Sequence, residues 1–372
     1  MICSKDNCTG CYACYNICPK QCISMEEDEY GYIYPTIDEE SCVNCKACEK
    51  VCPSNVPIDD FKKPMKTYAS WSNDEKDRVT SSSGGLSSVI ATYVVENGGY
   101  VFGAVYEEGL NVRHIEVNNI EGLKRIKESK YTHSSIEDTF RNAKRLLNNN
   151  KDVLFVGTPC QIAGLLKYLG KTYDNLLTID IICHGVPSNR MLQEYVRDTT
   201  SEKVDKVRFR SGTDNNFAIT FLQNDKIVYK KHFRESEYYM GFMEGMIYRE
   251  NCYKCTYARK ERISDITLGD FWGIGEKIPF NHNVDKGVSV VLCNTDKGIA
   301  IVDKIKDRVF IEERTLEEAV FKNEQLNKPT RRHPKRNQFL DLYKNKSFNK
   351  SIRKCLRRGF IKFKVKKYLF IK

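Results

Sequence analysis

Through the middle of the chain, short aliphatic runs alternate with longer stretches whose apolar positions recur at helical spacing. Val153–Gly157 and Leu176–Cys183 read as buried strands, and Pro159 opens a helix to about Leu169, proline being favoured in a first helical turn. A further helix over Ser188–Asp198 follows this βαβ unit. Upstream the pattern predicts strands at Thr67–Trp71, Tyr100–Tyr106 and Val112–Val117, and helices at Leu86–Glu96 and Ile136–Leu147. Downstream it predicts an antiparallel meander over Lys206–Arg210, Phe217–Gln223 and Lys226–Phe233, then a helix Ser236–Tyr248. Strands Ile266–Phe271, Val288–Cys293 and Val309–Glu313 and helices Asp296–Lys306 and Leu316–Asn323 close the pattern. The fold class expected of this body is α/β, a mixed sheet with βαβ units.

The first residues follow another rule. Two short strands, Cys22–Met25 and Tyr32–Tyr34, lie between two cysteine runs. Cys8, Cys11, Cys14 and Cys18 precede Pro19; Cys42, Cys45, Cys48 and Cys52 precede Pro53. This is the bacterial ferredoxin spacing for two 4Fe–4S clusters, in which the fourth cysteine of each run ligates the other cluster. The expected ligand sets are Cys8, Cys11, Cys14 and Cys52 for one, and Cys42, Cys45, Cys48 and Cys18 for the other. Zinc or disulfides would not require two runs each closed by Cys-Pro. The module is expected to be an α+β bacterial-ferredoxin-like domain.

Composition adds boundaries and exclusions. Pro57 and Pro64 bracket a charged linker, dividing a ferredoxin-like domain (1–57) from an α/β body read as 66–150 and 151–325 and a basic tail, 326–372. No apolar run approaches the ~18 residues of a membrane span. No signal peptide precedes Cys8, and 16 cysteines in such a chain read as metal ligands. The expected location is the cytoplasm, a reducing compartment. From Lys328 to Lys372 there are 17 Lys and Arg against Asp341 alone, a net of +16, so the rest of the chain carries −5 of the total +11. A local basic tail is no argument for nucleic-acid binding, and none is expected.

Eight cysteines remain outside the two runs. Cys160 follows one strand of the βαβ unit and Cys183 ends the next, placing both at the carboxyl edge of the sheet, where α/β proteins bind ligands. Cys252 and Cys255 could complete a four-thiolate site, for a third 4Fe–4S cluster or zinc. The alternatives are buried thiols, or for Cys160 a thiol activated by a helix start. Cys3, Cys22, Cys293 and Cys355 have no partner at ligand spacing and read as structural. Ser82, Ser83, Gly84 and Gly85, before an apolar helix, form either a phosphate cradle or an ordinary turn. Clusters carry single electrons and most organic substrates take two, so a flavin is the expected converter. No G-x-G-x-x-G indicates a nicotinamide cofactor. Asp270, in Gly269–Gly273, lies either near the same sheet edge or merely in a turn.

These residues carry a resemblance. Ser82–Gly85, Ser129-Lys130-Tyr131, Gly157–Gln161, Cys183–Ser188, the Cys252/Cys255 pair and Asp265–Gly273 occur in the order seen in the coenzyme F-420 hydrogenase/dehydrogenase beta-subunit family. The resemblance spans about 66–325, with the two-cluster module in front. It implies FAD in the α/β body, held through Ser82, Ser83, Gly84, Gly85, Lys130, Tyr131 and Asp270, and it supports ligation by Cys160, Cys183, Cys252 and Cys255. Archaeal members of the family reduce coenzyme F-420, and some bacterial ones are associated with exopolysaccharide synthesis. Lys130 would stabilise reduced, anionic flavin, or else is a solvated loop lysine. His184, titrating near neutrality, would give a proton to substrate, or else is structural. The expected partners are ferredoxin or another redox protein and an organic acceptor. The alternatives are a non-catalytic electron-transfer subunit and an accessory of polysaccharide synthesis. The tail, Asn345–Lys372, mixes Lys and Arg with Phe348, Ile352, Leu356, Phe360, Phe363, Tyr368 and Phe370. It reads either as a basic helix on an anionic membrane surface or as a terminal helix packed on the body.

Overall fold

The computed structural model describes residues 2–210 and 217–369. Among these, β1 (Ile23–Glu27) and β2 (Ile33–Ile37) pair antiparallel in the amino-terminal module. The main sheet takes β3 (Lys66–Ser72), β4 (Tyr100–Tyr106), β5 (Val112–Val117), β6 (Val153–Gly157) and β7 (Leu176–Ile181). A separate three-stranded sheet takes β8 (Lys206–Arg208), β9 (Ala218–Gln223) and β10 (Lys226–His232). Then β11 (Ile266–Asp270), β12 (Ser289–Cys293) and β13 (Val309–Glu313) return to the main sheet, whose order is β13-β3-β12-β11-β7-β6-β4-β5. Its centre, β11-β7-β6-β4, is parallel, and antiparallel strands extend both sides. The architecture is therefore a mixed α/β sheet behind a small ferredoxin-like region.

The strands are apolar at consecutive positions because both faces are covered. Val101 and Leu154 point into the core under the helix Leu86–Glu96. Their neighbours Phe102 and Phe155 point the other way, against Phe140 and Ile162. The second core also takes in Cys11, Tyr12, Ala13 and Val51, so the amino-terminal module shares packed interior with the body. Polar contacts seal the joint: Arg141 donates to Asn16 O (3.0 Å) and Tyr15 O (2.9 Å), and the Tyr32 hydroxyl donates to Ile247 O and Tyr248 O (both 3.1 Å).

Several expected elements have other bounds, the helix expected at Ile136–Leu147 running Thr139–Asn148 among them; three differences matter most. β7 stops at Ile181, leaving Cys183 in the segment beyond the strand. The helix after Ser236 spans only Glu237–Met243, because Gly245 adopts φ +61° beneath Arg331 O, a contact with no room for a side chain. The tail forms a helix, Phe348–Leu369, broken at Leu356. Before the break, Phe348, Ile352, Cys355 and Leu356 are buried among Tyr195, Tyr238 and Phe339. Half of the expected basic helix is therefore core; beyond it, Phe363 stacks on His232 at 4.9 Å. Phe370, Ile371 and Lys372 lie outside the described residues, and no helix among those described is long and apolar enough to cross a membrane.

Candidate metal centres and the adjoining cavity

Both cysteine runs bend the backbone alike. Tyr12 and Lys46 take left-handed φ of 65° and 57°, and a short helix then carries Cys14 or Cys48. Pro19 and Pro53 disfavour helical backbone in the residue before them. Cys18 and Cys52 accordingly leave their helices extended, at ψ 115° and 118°. Each fourth thiol is thereby carried to the other half: Cys8, Cys11, Cys14 and Cys52 line one small cavity, and Cys42, Cys45, Cys48 and Cys18 another. Four thiols round a void is the donor set of a cubane cluster. Among the described residues, no three His, Cys, Asp or Glu side chains close round the position of a single ion.

The two sites differ in depth. All four cysteines of the first are buried, whereas Cys45 of the second is exposed and its companions half-buried. The inner site is bonded to the body. Arg249, 1% exposed, donates from Nε to Cys8 O at 2.8 Å and lies 4.1 Å over the Tyr34 ring. His133 Nε2 meets Gly10 O at 3.1 Å, and Gly164 sits so close to Cys11 that an added Cβ would stand 2.9 Å from its Cβ. A bond from Cys3 pulls the thiols of Cys8 and Cys52 down to about 6, against the opposing effect of burial; at Cys8 the Arg249 charge adds to the lowering. Burial pushes Cys11 up to about 12.

Cys3 and Cys22, which have no partner at ligand spacing in the sequence, stand beside the two sites. Cys3 lines the inner cavity, and Cys22 lines the outer one with its sulfur 3.4 Å from that of Cys18. Cys293 and Cys355 are buried in the apolar cores.

Cys160, Cys183, Cys252 and Cys255 are brought within electrostatic reach of one another, the Cys183 thiol feeling the other three. Burial raises Cys160 to about 11 and Cys252 to about 12, and also raises Cys183 and Cys255. Cys160 does stand at a helix start, with Pro159 in the first turn and Gln161 Oε1 accepting from Thr158 N at 3.0 Å. Its raised pKa runs against the activated-thiol alternative. Proton-bearing thiols that would ionise on binding a metal suit a ligand set. Arg249 also acts on Cys160 and Cys252, so one buried cation faces two thiol groups.

Cys160 and Cys183 form part of the wall of a cavity of about 310 Å³, within the size range of cofactor sites. Thr9, from the inner cysteine loop, lines it too. Ser82, Ser83 and Gly85 line the same cavity. Gly85 caps the helix Leu86–Glu96 at φ 91° with no side chain bonded to the helix amides, leaving that end open to an anion. Gly84 is wedged against Ser70 O, where a Cβ would collide, and its amide donates to Ser289 Oγ at 3.0 Å. Ser82 Oγ accepts from Ser129 N at 2.6 Å, tying together two segments that line the cavity.

Lys130, Tyr131, His184 and Asp270 also line the cavity. Lys130 is no solvated loop lysine: burial lowers it to about 7, and its Nζ donates to Ile126 O, Lys127 O and Glu128 O at 3.1, 2.6 and 3.1 Å. All three of its donors are thus engaged, so its action on a ligand is through charge. Tyr131 is sandwiched between Phe209 and Phe242 at 4.6 and 4.7 Å. Burial, with the Arg210 charge, lowers His184 to about 4; near neutral pH it is uncharged, which corrects the expectation of titration near 7. Asp270 is paired with Arg210, whose guanidinium lies 4.0 Å over Phe217; burial raises the carboxyl while Arg210 opposes. Arg249, Gly164 and His133 were not singled out from the sequence.

Comparison with known proteins bears on both halves. Residues 150–319 match the family model for the C terminus of the coenzyme F-420 hydrogenase/dehydrogenase beta subunit, and residues 7–56 that of the 4Fe-4S dicluster domain. Among solved structures, a chain of the F-420-reducing NiFe hydrogenase complex from Methanosarcina barkeri is similar at 17% identity, covering 74% of this chain and 97% of its own, with a TM-score of 0.48. No curated protein matches.

Proposed function

Since residues 150–319 match the family model for the C terminus of the coenzyme F-420 hydrogenase/dehydrogenase beta subunit and residues 7–56 that of the 4Fe-4S dicluster domain, we propose that the chain is an iron–sulfur flavoprotein oxidoreductase. In this reading, electrons pass between the clusters and FAD to reduce or oxidise an organic acceptor. One observation carries the reading: a single cavity is lined both by an uncapped helix start and by Cys160, Cys183 and Thr9. When bound, clusters supply one-electron carriers and a flavin supplies the exchange between single electrons and hydride.

The chain's own residues divide the work. Cys18, Cys42, Cys45 and Cys48 hold the cluster nearest solvent, where a ferredoxin-like donor would meet the molecule. Cys8, Cys11, Cys14 and Cys52 hold the inner one. Cys160, Cys183, Cys252 and Cys255 hold a third at the cavity wall. Ser82, Ser83 and the first amides of the helix after Gly85 bind phosphate, while Tyr131 and Asp270 border the remainder. Lys130, lowered to about 7 by burial, would be held in its charged form by a reduced, negative flavin beside it. Neutral His184 can donate a hydrogen bond, but not the proton of an imidazolium.

Anaerobic purification with iron, sulfide and flavin counted is the test. About twelve irons and one FAD are expected; about eight irons without flavin would remove the flavoenzyme reading. A loaded protein that turns over no small acceptor except with a second protein would be an electron-transfer subunit instead.

A further inference from the structure

Each cubane cavity is lined by five cysteines rather than four. Cys3 joins Cys8, Cys11, Cys14 and Cys52 round the inner one. Cys22 joins Cys18, Cys42, Cys45 and Cys48, and its Sγ is 3.4 Å from Cys18 Sγ. Both extra thiols are fixed by backbone. Cys22 O accepts from Asp38 N at 2.8 Å at the end of the β1–β2 pairing, and Asn55 Nδ2 holds Ile2 O, beside Cys3, at 2.7 Å. A buried cysteine is ordinarily a small apolar filler. A filler has no need of a sulfur beside another thiol, and here the arrangement occurs at both sites.

We propose that Cys22 is a reserve ligand of the outer cluster, placed to take over the iron held by Cys18. In the exchange the iron–sulfur bond to Cys18 breaks as one to Cys22 forms. The proton leaving Cys22 goes to Cys18, and no electron changes hands. The outer site is where such a reserve matters: Cys45 is exposed and Cys18 half-buried, whereas Cys22 is buried. The inference rests on the dicluster domain and is independent of the flavin.

The test uses the full chain, purified without oxygen, with iron and sulfide counted and the reduced protein examined by electron paramagnetic resonance. Cys22→Ala and Cys18→Ala should each keep the iron of the unaltered protein, the latter with a changed spectrum. The double variant should lose about four irons. Cys45→Ala, at the exposed corner of the site, measures plain ligand loss. Cys18→Ala protein that loses as much iron as the double variant, or fails to fold while Cys22→Ala folds, would overturn the proposal. Unaltered protein devoid of iron would instead remove the cluster assignment itself.

Discussion

Gly164 and Arg249 hold the inner cluster loop from the side of the body. A methyl group at 164 would stand 2.9 Å from Cys11 Cβ and 3.0 Å from its sulfur, so the loop must yield. Gly164→Ala should cost about 1–3 kcal/mol, the usual range for overpacking, with iron lost from the inner site; thermal melts and iron counts check it. Arg249→Met removes a buried cation bonded to Cys8 O. Reduction adds negative charge, so the variant's inner cluster should have a lower midpoint potential in a redox titration. Histidines give the pH dependence. Burial lowers His114 to about 4. Its contribution is full above its unfolded value near 6.5 and is lost as pH falls through 4, worth about 3 kcal/mol. His114→Gln should therefore lose less stability than the unaltered protein between pH 7 and 4 in denaturant titrations. At this scale the sequence announced only residues whose spacing is itself the signal. Cys8 to Cys52 were legible; Gly164, Arg249 and the fifth thiols were not, because tertiary neighbours alone give them their meaning.

Among elements, four apolar segments were legible to the residue, while the amphipathic helix expected at Ile136–Leu147 runs Thr139–Asn148. Leu86–Glu96, Tyr100–Tyr106, Val153–Gly157 and Pro159–Leu169 have the bounds their patterns predict. Glu75–Val79 and Ile120–Ile126 were missed, being too short to show a period and owing their starts to the Asp74 and Asn119 caps. The tail shows the other limit: apolar residues at i and i+4 fit a membrane-facing stripe as well as a core-facing one. Phe348 and Ile352 are fully buried, so removing residues 345–372 should unfold part of the body. Ile352→Ala should cost about 2–5 kcal/mol in chemical denaturation. Truncation after Leu356 should leave that core intact, and only this shorter deletion is a fair test of binding to anionic vesicles.

For the molecule as a whole, the inner site is part of the interior that joins module to body, whereas the outer site faces solvent. Cys11→Ala should therefore lower the melting temperature of the entire protein, since Cys11, Tyr12 and Ala13 share a core with Phe140 and Phe155. Cys45→Ala, losing as much iron, should barely shift it; calorimetry on both variants decides. The sheet class was legible because its strands are apolar on both faces. The docking of the module was not, since a linker rich in proline and charge conceals how closely two segments will pack. The crossing of Cys18 and Cys52 also constrains manufacture. A nascent chain that has threaded only its opening run out of the ribosome owns three donors for one centre and a single donor for the other. The outer set is complete once residue 48 has emerged and the inner one only at residue 52, so insertion must await the second run.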